Sequence, residues 1–440
     1  MSEVSGRVAP LYRRLPRGPN GMGGEKVARN QRTRLFGAMI ESVSRRGYHA
    51  TTVAHVVALA GVSRRAFYEQ FSDKEDCFLA THDIVVARAR QGVLDASRLQ
   101  SGWAEGLHAG CEALLGDIAA SPEGPRLVLV DSLGIGPRAR VRMQLASLTF
   151  ERLVACASQL APGGAGFPPL GPRAVVGGVR HVLFIRMLER REWEPCTLTD
   201  ELLDWISSYR IPAAVRPGAL GLATPPRLPP APAAFLARED GRARALGSLV
   251  QLTLEEGYSR LSDQQIAQFA GISTEAFHKQ FPSKEECLLA VLDEFFQEAL
   301  RAVSGRLENA DSWPQGVHLA MAAFLDHLAA HEALLRIAFI NLFEVGPNMI
   351  GRMTTSVESL TKLLTEHGPP PRHGPRLTLE AVTGAVWAII FGYVAHISSD
   401  RLSRLPCLVD HLTFTVLAPY TGPRAAVEAI QAARRSPRSV

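Results

Sequence analysis

Apolar residues fall at 36, 39, 40 and 43, with polar residues between them. The same spacing returns at 246, 249, 250 and 254. Steps of three and four place such side chains on one helical stripe. No stretch sustains the alternation of a half-buried strand, so the pattern predicts an all-α chain. Gly/Pro clusters at 161–172 and 367–375 predict loops. One segment, 381–399, runs nineteen residues without a charged side chain. That length could span a bilayer. Its counterpart in the first half carries Arg180, His181 and Arg186, so a helix buried between other helices is expected instead.

The pattern repeats because the chain does. At an offset of 210, Gly47-Tyr48 recurs as Gly257-Tyr258, and Ala60-Gly61-Val62-Ser63 as Ala270-Gly271-Ile272-Ser273. Ala66-Phe67, Gln70-Phe71, Lys74-Glu75 and Cys77 recur at 276–277, 280–281, 284–285 and 287. Twelve of the 31 positions in 47–77 are identical without a gap. Trp103, Gly106, His108 and Gly136-Pro137 also have partners at 313, 316, 318 and 346–347. A unit of about 200 residues is therefore doubled, as a duplication and not a solenoid. Seven prolines between Pro212 and Pro232 separate the copies, and proline at that density favours extended chain. The expected organisation is a basic tail (1–24), a first DNA-binding domain (25–75) and a first regulatory domain (76–210). A Pro-rich linker (211–237), a second DNA-binding domain (238–285), a second regulatory domain (286–421) and a C-terminal tail (422–440) follow.

Within each repeat lies a tight helical pair. Residues 52–59 suit a two-turn helix with Thr51 or Thr52 as N-cap. Ala60-Gly61 breaks it, since glycine permits the positive φ of a tight turn. Ser63 then caps a second short helix running to about Phe71. Two short helices joined by such a turn are a helix-turn-helix, whose second helix enters the major groove. Asp73 with Asp76, and Ser283 with Glu286, read as N-cap and N3 of the next helix, and Ser262 with Gln265 as a capping box.

The run Gly-Val-Ser-x-x-x-Phe-Tyr-x-x-Phe-x-x-Lys-Glu at 61–75 resembles the helix-turn-helix signature of the TetR family of bacterial regulators. Gly47-Tyr48-x-x-Thr-Thr resembles the end of that family's first helix and the cap of its second. The resemblance implies two family units in tandem, each a three-helix DNA-binding domain followed by a larger helical ligand-binding and dimerisation domain. It implies that Ser63, Arg64, Arg65 and Tyr68 face DNA while Ala66, Phe67 and Phe71 pack inside. Arg64 and Arg65 would reach guanine or phosphate; Thr52 and Lys74, at helix starts, would hold the backbone. The matching positions in the second copy are Ser262, Ser273, Thr274, Glu275, His278 and Lys284. The last two helices of each unit, about 172–190 with 198–210 and 377–398 with 407–419, would form a four-helix interface. Here they could pair within one chain, giving a pseudo-twofold intrachain dimer acting as a monomer.

Charge separates the copies. The chain carries +5 overall. Residues 25–74 hold nine cationic and four acidic side chains, a net of +5; residues 235–284 hold six of each. Phosphate neutralisation drives much of DNA affinity, so the first copy should bind more strongly. His278, Glu275 and Asp263 stand in the second copy where the first has Tyr68, Arg65 and Val53.

The expected function is a transcriptional regulator, a repressor that reads operator DNA and is released by a small apolar effector. The alternative is a binding or interaction protein whose second head no longer grips DNA. Trp103, Phe184, Met187, Trp313, Phe324, Phe339 and Phe343 read as core before they read as pocket, so no ligand residue is assigned. The six cysteines show no CxxC, and no His/Cys cluster with metal-ligand spacing stands out. Buried packing is expected for each, in a reducing cytoplasm. No metal or cofactor is expected. His49, His55, His82 and His108 have no partnered nucleophile and acid, and there is no HExxH or Gly-rich phosphate loop. An enzyme is not expected.

Overall fold

The computed structural model describes residues 24–160, 166–189, 193–215, 220, 222, 233–339, 347–372, 374–395 and 399–435. The basic tail up to residue 23, Phe343 and most of the Pro-rich linker lie outside them. Among the described residues every named element is helical, and the one β-bridge pairs Gly166 with Ile211.

In the first copy, α1 (Gly24–Arg46), α2 (Val53–Ala60) and α3 (Arg64–Tyr68) form the head. The body follows as α4 (Lys74–Arg98), α5 (Trp103–Ala120), α6 (Glu123–Arg126), α7 (Pro137–Gln159), α8 (Gly171–Leu188) and α9 (Pro195–Ser207), with a π-helical turn at Leu127–Asp131 after α6. The second copy has its head in α10 (Gly241–Glu256), α11 (Asp263–Phe269) and α12 (Thr274–Gln280). Its body is α13 (Lys284–Glu308), α14 (Trp313–Ala330), α15 (Glu332–Phe339), α16 (Pro347–Thr365), α17 (Pro375–Ala395), α18 (Val409–Thr421) and α19 (Pro423–Arg435). The starts of α11 to α14 and α16 fall 210 residues after those of α2 to α5 and α7. The capping serines and aspartates explain this: Ser63, Asp73, Ser262, Ser273 and Ser283 each accept the N–H three residues on, stopping the helices at fixed places.

The two bodies face each other through α8 and α17. An added Cβ at Gly177 would lie 2.2 Å from the Ala388 Cβ and 2.8 Å from the Gly384 carbonyl oxygen; one at Gly384 would lie 2.2 Å from the His181 Cβ. The backbones therefore touch at the crossing. Arg186 reaches across to the buried carboxylate of Glu380 at 2.7 Å, and the Tyr209 hydroxyl donates to the Thr415 carbonyl at 3.0 Å. The expected intrachain interface of α8 and α9 with α17 and α18 is what forms. Helix α17, long and apolar enough to cross a membrane, is the inner helix of this contact.

Two expectations need correction. Residues 423–435 are not a tail but α19, because Ala426, Val427 and Ile430 fall on one face and are buried, and Arg434 pairs with the buried Asp410. The end of the expected Pro-rich linker (211–237) is not extended spacer but docks on the second copy. Ala234–Ala237 makes a 3-10 turn, Phe235 is buried, and its N–H donates to Glu298.

The hydrophobic interior is unequal. Leu35, Met39, Val56, Phe67, Phe71 and Phe78 belong to a separate core under the first head. The second head shares one continuous core with both bodies.

Candidate nucleic-acid interface and regulatory cavity

The first head is built by local hydrogen bonds that turn its polar groups into place. Thr52 caps α2 by accepting the His55 N–H at 3.3 Å, while the Thr52 N–H donates to His55 Nδ1 at 3.3 Å. This reciprocal box was not anticipated, because the usual N3 residue is Glu or Gln. Gly61 takes φ 61° at the turn, which L side chains with a Cβ resist. Arg34, from α1, donates to the carbonyls of Ala60 and Gly61. Arg244 does the same for Ala270 at 3.1 Å, at the same offset. This arginine brace was legible as a pair 210 apart.

On α3, Ala66 and Phe67 are buried while Arg64, Arg65 and Tyr68 are exposed. Tyr68 is 57% exposed, unusual for an aromatic ring. Arg65 pairs with Glu69 at 2.9 Å on the same surface; such an exposed pair contributes little and yields readily. Ser63 spends its oxygen on the Ala66 N–H at 3.0 Å, leaving its O–H to donate outward. Lys74 behaves differently from expectation. Its ammonium donates to the Tyr48 carbonyl at 2.9 Å and lies 4.0 Å from that ring's centroid. Partial burial lowers its pKa. It braces the head from within, and only its remaining donors can reach a phosphate. We expect Lys74→Met to lower stability by about 1 kcal/mol, read from the urea midpoint, besides any effect on DNA.

The second head copies the frame and changes the surface. Ser262 and Gln265 form the expected box, Ser273 caps α12, and Lys284 donates inward to Leu261 at 2.8 Å. Thr274 and Glu275 are exposed, with Glu275 paired to Lys279 at 3.0 Å. His278 Nε2 lies 2.9 Å from Asp263, whose other oxygen accepts the Lys284 N–H. Two of the three departures from the first copy, His278 and Asp263, thus satisfy each other.

Histidines flagged in the sequence do not converge. His55 caps α2, His82 is buried, and His108 meets Asp200 at 3.1 Å. Cysteine packing holds for Cys77, Cys287 and Cys407, but Cys156 and Cys196 are exposed. Burial pushes the Cys77 and Cys287 thiols up to about 12.

A cavity of about 680 Å³ lies in the first body between α4, α5, α7 and α8. Leu107, Leu114, Phe150, Val154 and Leu183 line it, and among the described residues Arg180 is the only charged one in the lining. Burial lowers the Arg180 pKa and Glu151 opposes this. In the second body Phe295, Met321 and Phe324 stand where the first has Val85, Cys111 and Leu114. All three are buried. These larger side chains take the corresponding positions as part of the core.

The helix-turn-helix segments match a family model described as "Bacterial regulatory proteins, tetR family" at residues 38–81 and again at 248–291. The match occurs twice, 210 residues apart, once in each head. The HTH-type transcriptional activator FasR of Mycolicibacterium smegmatis is 27% identical over 147 residues, covering 33% of this chain and 67% of that protein. Among solved structures, SmeT, repressor of the Stenotrophomonas maltophilia efflux pump SmeDEF, is similar at TM-score 0.35 and 19% identity, covering 45% of this chain and 97% of that one. FadR of Bacillus subtilis, solved with stearoyl-CoA, is similar at TM-score 0.36 and 13% identity, covering 39% and 96%.

Proposed function

We propose that this protein is a ligand-responsive repressor of the tetR family that grips operator DNA mainly through α3, with both reading heads supplied by one chain. The observation that carries this is the surface of α3: Arg64, Arg65 and Tyr68 point outward from a helix whose caps and underside are committed inward. The +5 charge of that head supports it. The second head, neutral and internally paired at His278 and Asp263, acts as a weaker grip on a non-palindromic site. Because α8 and α17 already meet within the chain, the acting species is the monomer.

The effector is a small, largely apolar molecule held in the cavity of the first body. The cavity's volume falls within the usual range for ligand sites, and Arg180 suits a polar or anionic end. The first head has its own core, so a ligand beneath it can shift that head without disturbing the second. A ligand shifts the equilibrium only by its differential affinity for the two states.

The test is fluorescence anisotropy on DNA flanking the gene, at two salt concentrations, with the mass of the free protein measured alongside. Binding that weakens steeply with salt is expected, from a species of 47.7 kDa. A species of twice that mass would overturn the monomer reading; absence of binding to that DNA at low salt would overturn the regulator reading for that site. For the cavity, Leu114→Phe imports the residue at the matching position of the second copy. It should weaken release by effector about tenfold or more, by removing space, while leaving DNA affinity unchanged. Equal loss of both would instead mark a folding defect.

A further inference from the structure

Helix α14 carries one imidazole in its last turn, His327, and a second at its C-cap, His331, and α13 lays a carboxylate beside them. Glu298, His327 and His331 each offer one ligand atom, and these atoms all lie within 4.8 Å of one another. The pair is spaced i, i+4, so both rings share a face, with centroids 4.5 Å apart. The i, i+4 pair is visible in the sequence, but its third ligand comes from the preceding helix.

The groups are held in orientations a metal requires. His331 Nδ1 lies 2.8 Å from the His327 carbonyl. A carbonyl only accepts, so Nδ1 carries a proton and Nε2 is the nitrogen left to face an ion. This is the outer contact that orients a metal-bound imidazole. The His327 Nε2 is buried with no hydrogen-bond partner, and its ring stacks on Phe295 at 5.0 Å. Glu298 is placed by the Phe235 N–H, 3.1 Å from Oε1, which leaves carboxylate lone pairs free.

We propose that Glu298, His327 and His331 form a binding site for one divalent transition-metal ion of the class that prefers imidazole, zinc foremost. Two imidazoles and one carboxylate suit zinc and leave a coordination position for water or a small ligand. An all-oxygen cage for calcium or magnesium is not what these residues offer. The matching positions in the first copy are Arg88, Asp117 and Ser121, so the site belongs to the second body alone. The ion would pin α13, which begins directly after the second helix-turn-helix, to the end of α14. Through Glu298 it would also hold the docked linker turn.

The test is calorimetric titration of the chelator-treated full chain with zinc chloride, paired with visible absorption on adding cobalt(II). One equivalent of zinc and ligand-field bands are expected. Glu298→Gln keeps an oxygen for the Phe235 N–H and His331→Gln keeps a polar group, so both should fold as the parent does by circular dichroism. Each should bind zinc at least about tenfold more weakly and lose the cobalt bands. If one variant unfolds, the other decides. A parent chain that takes up no zinc equivalent, or variants with the parent's zinc affinity and cobalt spectrum, would overturn the proposal.

Discussion

Removing both guanidinium groups of α3, by Arg64→Ala with Arg65→Ala, should nearly abolish operator binding. Each base-reading arginine is worth about 1–3 kcal/mol of discrimination, so two together lower affinity by roughly thirtyfold to twenty-thousandfold. Fold should be untouched, because both side chains are exposed and Arg65's one partner is the exposed Glu69. Salt dependence separates the two possible roles. If the arginines contact phosphates, the log–log salt slope falls by about one for each; if they read bases, sequence preference collapses while the slope changes less. The matching change in the second head, Thr274→Ala with Glu275→Ala, should alter affinity far less, since it removes no cation. Unchanged binding by the arginine variant would remove α3 from the interface.

The second head can be interrogated in the opposite direction. Glu275→Arg with His278→Tyr restores the residues of the first copy. It should strengthen binding in the same anisotropy measurement if α12 reaches DNA. The change also releases Asp263 from His278, leaving a carboxylate that still accepts the Lys284 N–H. No change in affinity would place the second head off the DNA.

Much of this architecture was legible because local chemistry governs it. Capping residues and Gly61/Gly271 set helix ends, and a repeat at one offset carried those ends from one copy to the other. What escaped depends on contacts between distant segments. Lys74 reads as a cation at a helix start, yet the fold brings the Tyr48 carbonyl under it. The cavity is invisible along the chain because it follows from side-chain volumes at facing positions of four helices, where the first copy has Leu114 and Cys111 and the second has Phe324 and Met321. Helix α19 was a different kind of miss. Its terminal arginines suggested a solvated tail, while the face at Ala426, Val427 and Ile430 was already helical in spacing.

The intrachain interface makes the second large prediction, and its sign is the test. Gly177→Ala and Gly384→Ala each add one carbon. In a free helix that change stabilises, since glycine costs about 1 kcal/mol relative to alanine. At the α8–α17 crossing the new Cβ atoms would lie 2.2 Å from Ala388 and His181, and under 3 Å from the opposite backbone. Backbone cannot rotate aside as a side chain does, so the helices must separate. Overpacking of this kind costs about 1–3 kcal/mol, occasionally more, and each variant should lose that much in urea unfolding. Gly116→Ala, at a helical site with nothing within 4 Å of the added atom, should gain stability and serves as the control. The double variant should lose less than the sum of its parts. Gly177 and Gly384 face each other, so one separation of the helices relieves both clashes, and neighbouring changes are not additive. If both single variants stabilise the chain as Gly116→Ala does, α8 and α17 do not meet in solution, and the single-chain pairing of the two heads falls with them.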